Sequence, residues 1–247
     1  MEKHFSVTFT PGQTAEAILV LETAELPKAL SQIGLETPRP VLVVVGGASK
    51  ISEASFLAIQ ELFVQVLAPI AESLGAYVVD GGTDAGVMRL MGEARTKIGA
   101  TFPLIGVSPD GKIALPNDPN PPEDSAPLEP HHTHFVTIPG NDWGDESPWL
   151  ATVATLLAGG NPSVTVLLNG GEITFRDALY SVLANRLVIV VAGSGRTADQ
   201  LASAVRGEPD CDERGKQLAD SGLLQLIDLE DSLNCLAHTI KDLLTSW

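Results

Sequence analysis

The stretch that most constrains this chain is Ala76-Tyr-Val-Val-Asp-Gly-Gly-Thr-Asp-Ala-Gly-Val-Met-Arg-Leu-Met-Gly-Glu-Ala-Arg95. Tyr77 to Val79 is a short apolar run rich in β-branched residues, too short for a helix. It breaks at Gly81-Gly82 and resumes with Val87, Leu90, Met91 and Ala94 on one helical face. The pattern reads as strand, tight glycine turn, helix. Such a turn presents backbone N–H groups at a helix N-terminus, where the dipole also favours an anion. Thr83 and Asp84 suit the capping position. Many chains use Gly-Gly only to reverse direction, so this stretch alone leaves phosphate binding and simple turning open.

The same unit recurs. Val41–Val45 breaks at Gly46-Gly47, Val164–Leu168 at Asn169-Gly170-Gly171, and Leu187–Val191 at Gly193-Ser194-Gly195, each followed by a helix. Five-residue apolar runs suit strands buried on both faces. Strands alternating with helices predict an α/β, doubly wound, mainly parallel sheet with helices on both faces. In such sheets the turns after the strands share one edge, and ligands sit there at the topological switch point. Elsewhere, residues 4–10 and 17–21 read as short strands and 26–33 as a short helix. Residues 52–74 read as a long helix kinked or broken at Pro69. Strands are expected at 104–107, 131–138 and 223–229, and helices at 148–158, 173–185, 197–205 and 231–245. One domain over 1–247 is expected, with 1–38 as an N-terminal strand and helix extension. Residues 109–130 hold seven prolines and five acids. A loop of that length is commonly a lid or a disordered insertion.

Charge limits the partners. Fifteen Lys+Arg stand against 31 Asp+Glu, a net charge of −16. That argues against nucleic acid and anionic membrane surfaces, although a pocket's local field can still attract an anionic small molecule. Two cysteines, Cys211 and Cys235, make neither a disulfide framework nor a CxxC pair. The first residues lack an apolar leader, and no uninterrupted apolar run approaches the roughly 20 residues of a membrane span. A soluble cytoplasmic protein is the expectation.

Gly81-Gly82-Thr83-Asp84-Ala85-Gly86-Val87-Met88, with Gly92-Glu93-Ala94, resembles the signature of the SLOG superfamily, which includes the LOG-type nucleotide phosphoribohydrolases and DprA. Val45-Gly-Gly-Ala48, His132-Thr-His-Phe135 and Gly193-Ser-Gly-Arg-Thr-Ala-Asp199 resemble its LSDAT branch, the N-terminal domain of TRPM channels and free-standing prokaryotic relatives. The motifs stand in family order over about residues 40–200. The resemblance implies a Rossmann-like sheet and a nucleotide-derived ligand such as ADP-ribose, cyclic ADP-ribose or NAD. It also brings a homodimer into consideration. The phosphoribohydrolases carry P-G-G-x-G-T-x-x-E, ending in a catalytic glutamate. Here the stretch is Asn169-Gly-Gly-Glu-Ile-Thr-Phe-Arg-Asp177, with Ile173 for the third glycine and Asp177 for the glutamate. Catalytic carboxylates are placed to within ångströms, so the departure favours binding over hydrolysis.

The expected ligand contacts are therefore Gly46, Gly47 and Ala48, Gly81, Gly82, Thr83 and Gly86, Gly170, Gly171 and Glu172, and Gly193, Ser194, Gly195 and Arg196, with Trp143 stacking a base. The ligand is expected to be a nucleoside diphosphate derivative, with its diphosphate on Gly82-Thr83 and the turn before Arg196. Arg196 could grip a diphosphate bidentately or pair with a surface acid. Arg89 and Lys50 carry the same two readings. Asp177 and Glu172 are the candidate acids if any chemistry occurs. Asp142, Asp145 and Glu146 could accept from ribose hydroxyls or be solvated. His131, His132 and His134 lack a completing Cys or carboxylate at ligand spacing, so no metal is expected. Met88 and Met91 read as core.

Overall fold

A computed structural model describes residues 3–10, 12–47, 52–209, 211–231 and 233–245. The elements run β1 (Lys3–Thr8), β2 (Thr14–Leu19), α1 (Leu26–Gln32), β3 (Val41–Gly46), α2 (Glu53–Leu62), α3 (Ala68–Leu74), β4 (Tyr77–Asp80), α4 (Gly86–Lys97) and β5 (Leu104–Pro109). Then come β6 (Ile113–Ala114), β7 (Ala126–Pro127), β8 (His134–Ile138), α5 (Ser147–Ala158), β9 (Ser163–Leu168), α6 (Glu172–Leu183), β10 (Leu187–Ala192), α7 (Arg196–Val205), α8 (Glu213–Ala219), β11 (Leu224–Asp228) and α9 (Leu233–Thr245).

Nine strands form one sheet in the order β1-β2-β8-β5-β4-β3-β9-β10-β11. Every pair is parallel except the β1–β2 hairpin at one edge. From β3 the chain winds outward through β4, β5 and β8, then crosses back to β9 on the other side of β3. The switch point therefore lies between the ends of β3 and β9, as a doubly wound sheet requires.

Alternation along the strands divides the core in two. Val41, Val43 and Val45 face one layer, with α1, α5, α6, α7 and α8. Leu42 and Val44 face the other, with α2, α3, α4 and α9. Side chains on successive strand residues point to opposite faces, so a strand covered on both sides must be apolar throughout.

The sequence-based reading and the structure differ at three places. Pro69 does not end its helix, but the α-helical pattern is interrupted just before it. The chain passes from α2 through one π turn, Phe63–Leu67, into α3, where Pro69 sits in the first turn. A proline has no N–H to give to the preceding turn, and a π turn is one way a helix accommodates that loss. The whole span, Glu53–Leu74, is long and apolar enough to cross a membrane by length and composition; Ile59, Leu62, Phe63, Val66 and Leu67 are buried in the second layer. Residues 109–130 are not bare loop. β6 and β7 pair with each other, and Ile113 and Leu128 close a third small core over the β1–β2 hairpin with Val7, Phe9 and Phe135. The strand expected at 131–138 starts only at His134, because a buried carboxylate described below holds His131 and His132 in a turn.

Candidate functional site

The groove at the switch point has a volume of about 400 Å³. Three turns meet there. Gly46 ends β3 with φ +142°, and a Cβ on it would stand 1.8 Å from the Leu168 carbonyl oxygen. Only glycine lets β3 and β9 run this close to their ends. Gly46 and Gly47 form one rim of the groove, Gly170 and Gly171 a second, and Gly81 and Thr83 a third.

The Gly170 turn is built by Asn169. This residue is fully buried in the left-handed region (φ +52°), which asparagine tolerates better than most side chains. Its backbone N–H donates to Ser194 Oγ at 2.8 Å, and its side-chain amide to the Ser194 carbonyl at 2.8 Å. Its Oδ1 accepts from the Gly170 N–H. The turn so held delivers the N-terminus of α6 to the groove through Gly171, Glu172, Ile173 and Thr174. A twelve-residue helix ending there concentrates positive potential on its first N–H groups. Thr197 Oγ1 donates to the Gly171 carbonyl, locking the next turn alongside.

Arg196 opens α7 in the left-handed region, φ +53°, a strained backbone for arginine. Its guanidinium lies over Gly171, close enough that a Cβ there would stand 2.9 Å from Nη2. It lines both the main groove and an adjoining one shared with Arg214.

Much of the remaining lining is apolar: Val45, Met88, Pro109, Trp143 and Leu150, together with Ile173 of α6. Set into it are two buried carboxyls. Glu146 accepts from the Gly144 N–H at 2.7 Å, and burial pushes its pKa up. Asp177 Oδ1 accepts from Ser147 Oγ at 2.6 Å. Burial raises Asp177 to about 7; the Ser147 hydrogen bond works against that, and the nearby Glu146 charge adds to it. Near neutrality this side chain can thus hold or release a proton.

The third turn rests on a buried charged chain. Asp80 Oδ1 accepts from the Gly82 N–H at 2.7 Å and from His132 Nε2 at 2.8 Å. On its other side, His132 Nδ1 meets Glu129 Oε2 at 2.8 Å, and Glu129 also holds the His131 ring and backbone N–H. Burial alone would lower the His132 pKa. The charge and hydrogen bond of Asp80, reinforced by Glu129, overcome it and raise the pKa to about 9. Glu129 is likewise opposed by burial yet held below its ordinary value by the two histidines. The Gly82 carbonyl accepts from the Glu129 N–H, and Thr83 bridges to Leu128. The end of the proline-rich segment is thereby laced to the rim of the groove.

Of the expected contacts, Gly46, Gly47, Gly81, Thr83, Trp143, Gly170, Gly171, Glu172 and Arg196 line the groove, and so does Asp177. Gly82 turns inward against Gly106, and its N–H belongs to Asp80. Gly86 starts α4 and Gly195 caps α7 outside the groove lining. Ser194 is fully buried as the partner of Asn169, and the exposed Gly193 gives its N–H to Asp199 at 2.7 Å. Ala48 and Lys50 lie outside the described residues. Glu172 is held by Arg214 at 2.6 Å, and Arg89 by Asp84 at 2.6 Å. Met91 is core, whereas Met88 reaches the groove. Apart from Trp143, sequence reasoning missed the apolar lining, whose other members come from five separate elements with no shared motif. It also missed Asp80 and Glu129; the odd placement of an acid inside an apolar strand end was the available signal.

Comparison with known proteins bears on the same residues. A model of the family described as "SLOG in TRPM, prokaryote" matches residues 39–237. Transient receptor potential cation channel subfamily M member-like 2 of Nematostella vectensis is 27% identical over 216 residues, 71% of this chain and 14% of that protein. Subfamily M member 2 of Mus musculus is 26% identical over 205 residues, 68% of this chain and 13% of that one. Subfamily M member 6 of Homo sapiens is 26% identical over 226 residues, 79% of this chain and 10% of that one. The chain therefore spans a seventh or less of the channels it matches. The family match runs from just before β3 into α9 and takes in all the turns around the groove, so the chain belongs to the family of SLOG domains in TRPM, in its prokaryotic branch.

Proposed function

We propose that this chain binds a nucleotide-derived small ligand, of the ADP-ribose, cyclic ADP-ribose or NAD type, in the switch-point groove of a cytoplasmic sensor or binding protein. One observation carries the reading: glycine turns, the α6 N-terminus and Arg196 meet in a groove whose remaining lining is largely apolar and includes two buried carboxyls. A diphosphate fits where N–H groups and a forked cation converge. The Gly82 N–H is committed to Asp80, and those of Gly170 and Gly171 to Asn169 and Thr174, so this reading seats the diphosphate on the first turn of α6 beside Arg196 rather than on Gly82-Thr83. A base fits the lining at Trp143, and ribose hydroxyls can donate to Glu146 or to Asp177. Isothermal titration with ADP-ribose, cyclic ADP-ribose, NAD and AMP tests it. Heat with at least one of them, lost in Arg196→Met, is expected; no heat and no thermal shift with any would remove it.

Asp177 supports a second reading, hydrolysis of an N-glycosidic bond. A carboxyl that titrates near 7 at the wall of the groove could protonate the departing base while water adds to the anomeric carbon. Chromatography of AMP and NAD incubations for released base separates the two. Release that disappears in Asp177→Asn while binding persists would establish the hydrolase.

A further inference from the structure

A second groove, of about 410 Å³, lies at the opposite edge of the sheet, where β9 and β10 begin. Thr155, Asn161, Ser163, Asn185, Arg186 and Leu243 line it. Arg186 is 3% exposed. Its Nε donates to Ser163 Oγ at 2.7 Å, and one terminal nitrogen donates to Thr155 Oγ1 at 2.8 Å and to the Ala151 carbonyl at 3.1 Å. The other terminal nitrogen, Nη1, is buried with no hydrogen-bond partner. Among the described residues no carboxylate pairs with Arg186, and burial alone acts on its pKa, pulling it down to about 10.

A buried cation of this kind is costly unless something neutralises it. The absence of an acid is notable in a chain of net charge −16. The switch-point groove carries Glu146, Glu172 and Asp177, and the grooves at Asp199 and at Glu208 carry acids too. The groove at Arg186 has none in its lining. Its guanidinium is held in plane by neutral hydroxyls and a carbonyl, which orient it without cancelling its charge.

We propose that the Arg186 groove is a second anion site, taking a small oxyanion, a phosphate or a carboxylate, that pairs with the guanidinium in a groove also lined by Asn161 and Asn185. The site is independent of the nucleotide reading, because it lies at the other edge of the sheet and shares no lining residue with the switch-point groove.

Thermal unfolding at constant ionic strength, with inorganic phosphate and separately with acetate, tests the proposal. Phosphate at about ten times its Kd is expected to raise the Tm by roughly 3 °C. The shift should persist in Arg196→Met and vanish in Arg186→Met. Acetate separates the carboxylate source from the phosphate one, and a shift with either supports the site. A shift lost in Arg196→Met but kept in Arg186→Met would place the anion in the switch-point groove and overturn the proposal. So would no shift with either anion. Should Arg186→Met fail to fold, amide spectra of the unaltered chain decide. Phosphate is expected to move the resonances of Ser163, Arg186 and Leu187; movement confined to Gly170 and Gly171 overturns the proposal.

Discussion

Asn169 and Ser194 are tied twice across the ends of β9 and β10: the Asn169 backbone N–H donates to Ser194 Oγ, and its side-chain amide to the Ser194 carbonyl, both at 2.8 Å. Ser194 Oγ in turn donates to the Val191 carbonyl at 2.5 Å, so its one proton is committed in the interior. The two residues build the walls of the groove without touching its contents. Ser194→Ala leaves a buried N–H without an acceptor, a loss of about 1–3 kcal/mol. Urea titration should show it as an earlier midpoint at unchanged slope. Combined with Asn169→Ala, the losses should fall short of additive, by about 0.5–3 kcal/mol of coupling; full additivity would mean the tie is not a unit.

The middle of the sheet was legible because β3, β4, β9 and β10 are apolar runs closed by small residues, a pattern that depends on local chemistry alone. The groove was half legible for the same reason. Glycines mark the turns, but sequence does not say which N–H groups face outward. Gly82 illustrates this: its N–H is claimed by Asp80, two residues earlier, and its Cα packs on Gly106. Ser194 and Asn169 look like loop polar residues and are the most buried parts of their turns. The Asp80–His132–Glu129 chain joins residues up to 52 positions apart, and only the parallel arrangement of β4 and β5 with β8 brings them together.

Gly92 is a sharp test of that buried chain. It lies within α4, where replacing glycine by alanine ordinarily stabilises by about 1 kcal/mol. A Cβ here would stand 2.3 Å from Glu129 Oε2. Gly92→Ala should therefore destabilise instead, by about 1–3 kcal/mol, in the range of overpacked interiors. Adding Glu129→Ala to it should recover part of the loss. A stabilised Gly92→Ala protein would show that Glu129 can move aside freely.

His132 makes stability depend on pH. Its folded pKa, about 9, lies above the ordinary 6.5, because Asp80 and Glu129 outweigh burial. A raised pKa means that the folded state holds its proton more tightly. The stabilisation is complete below about pH 6.5 and is lost as pH rises through about 9. His131 also faces Glu129, and the Phe135 ring stacks on His132 with centroids 5.4 Å apart. Urea midpoints measured from about pH 6 to 10 should fall across that window. In His132→Gln, which keeps a donor but cannot titrate, the fall should flatten while the protein is weaker at neutral pH. A slope identical in the two proteins would exclude His132 as its source.

Asp177 should act in the opposite sense to Glu129, whose partners hold its pKa down. Its folded pKa, about 7, is raised by burial. Protonation is therefore favoured in the folded state, and the favourable contribution is present at low pH and disappears as pH rises through about 7. Asp177→Asn keeps an acceptor for Ser147 without a charge to desolvate. It should raise stability by about 1–2 kcal/mol at pH 8 and much less at pH 5. Calorimetry at the two values checks this. Equal Tm changes at both would show that charge is not the cause.

Arg196 holds a left-handed backbone, φ +53°, that costs an arginine about 1–2 kcal/mol over what glycine would spend there. Strain of this kind persists where the surroundings fix it, often at a ligand site. Arg196→Gly relieves the backbone and removes the guanidinium over Gly171. Stability should rise by about 1 kcal/mol, while affinity for the nucleotide ligand falls by about tenfold or more, as expected when a charge-assisted fork to phosphate is lost. Arg196→Lys keeps the charge and the strain and loses the fork, so it should bind less tightly than arginine and gain no stability. Thermal unfolding and titration on the same three proteins separate the two effects. Unchanged affinity in Arg196→Gly would take the residue out of the site and leave its strained backbone to a purely structural cause.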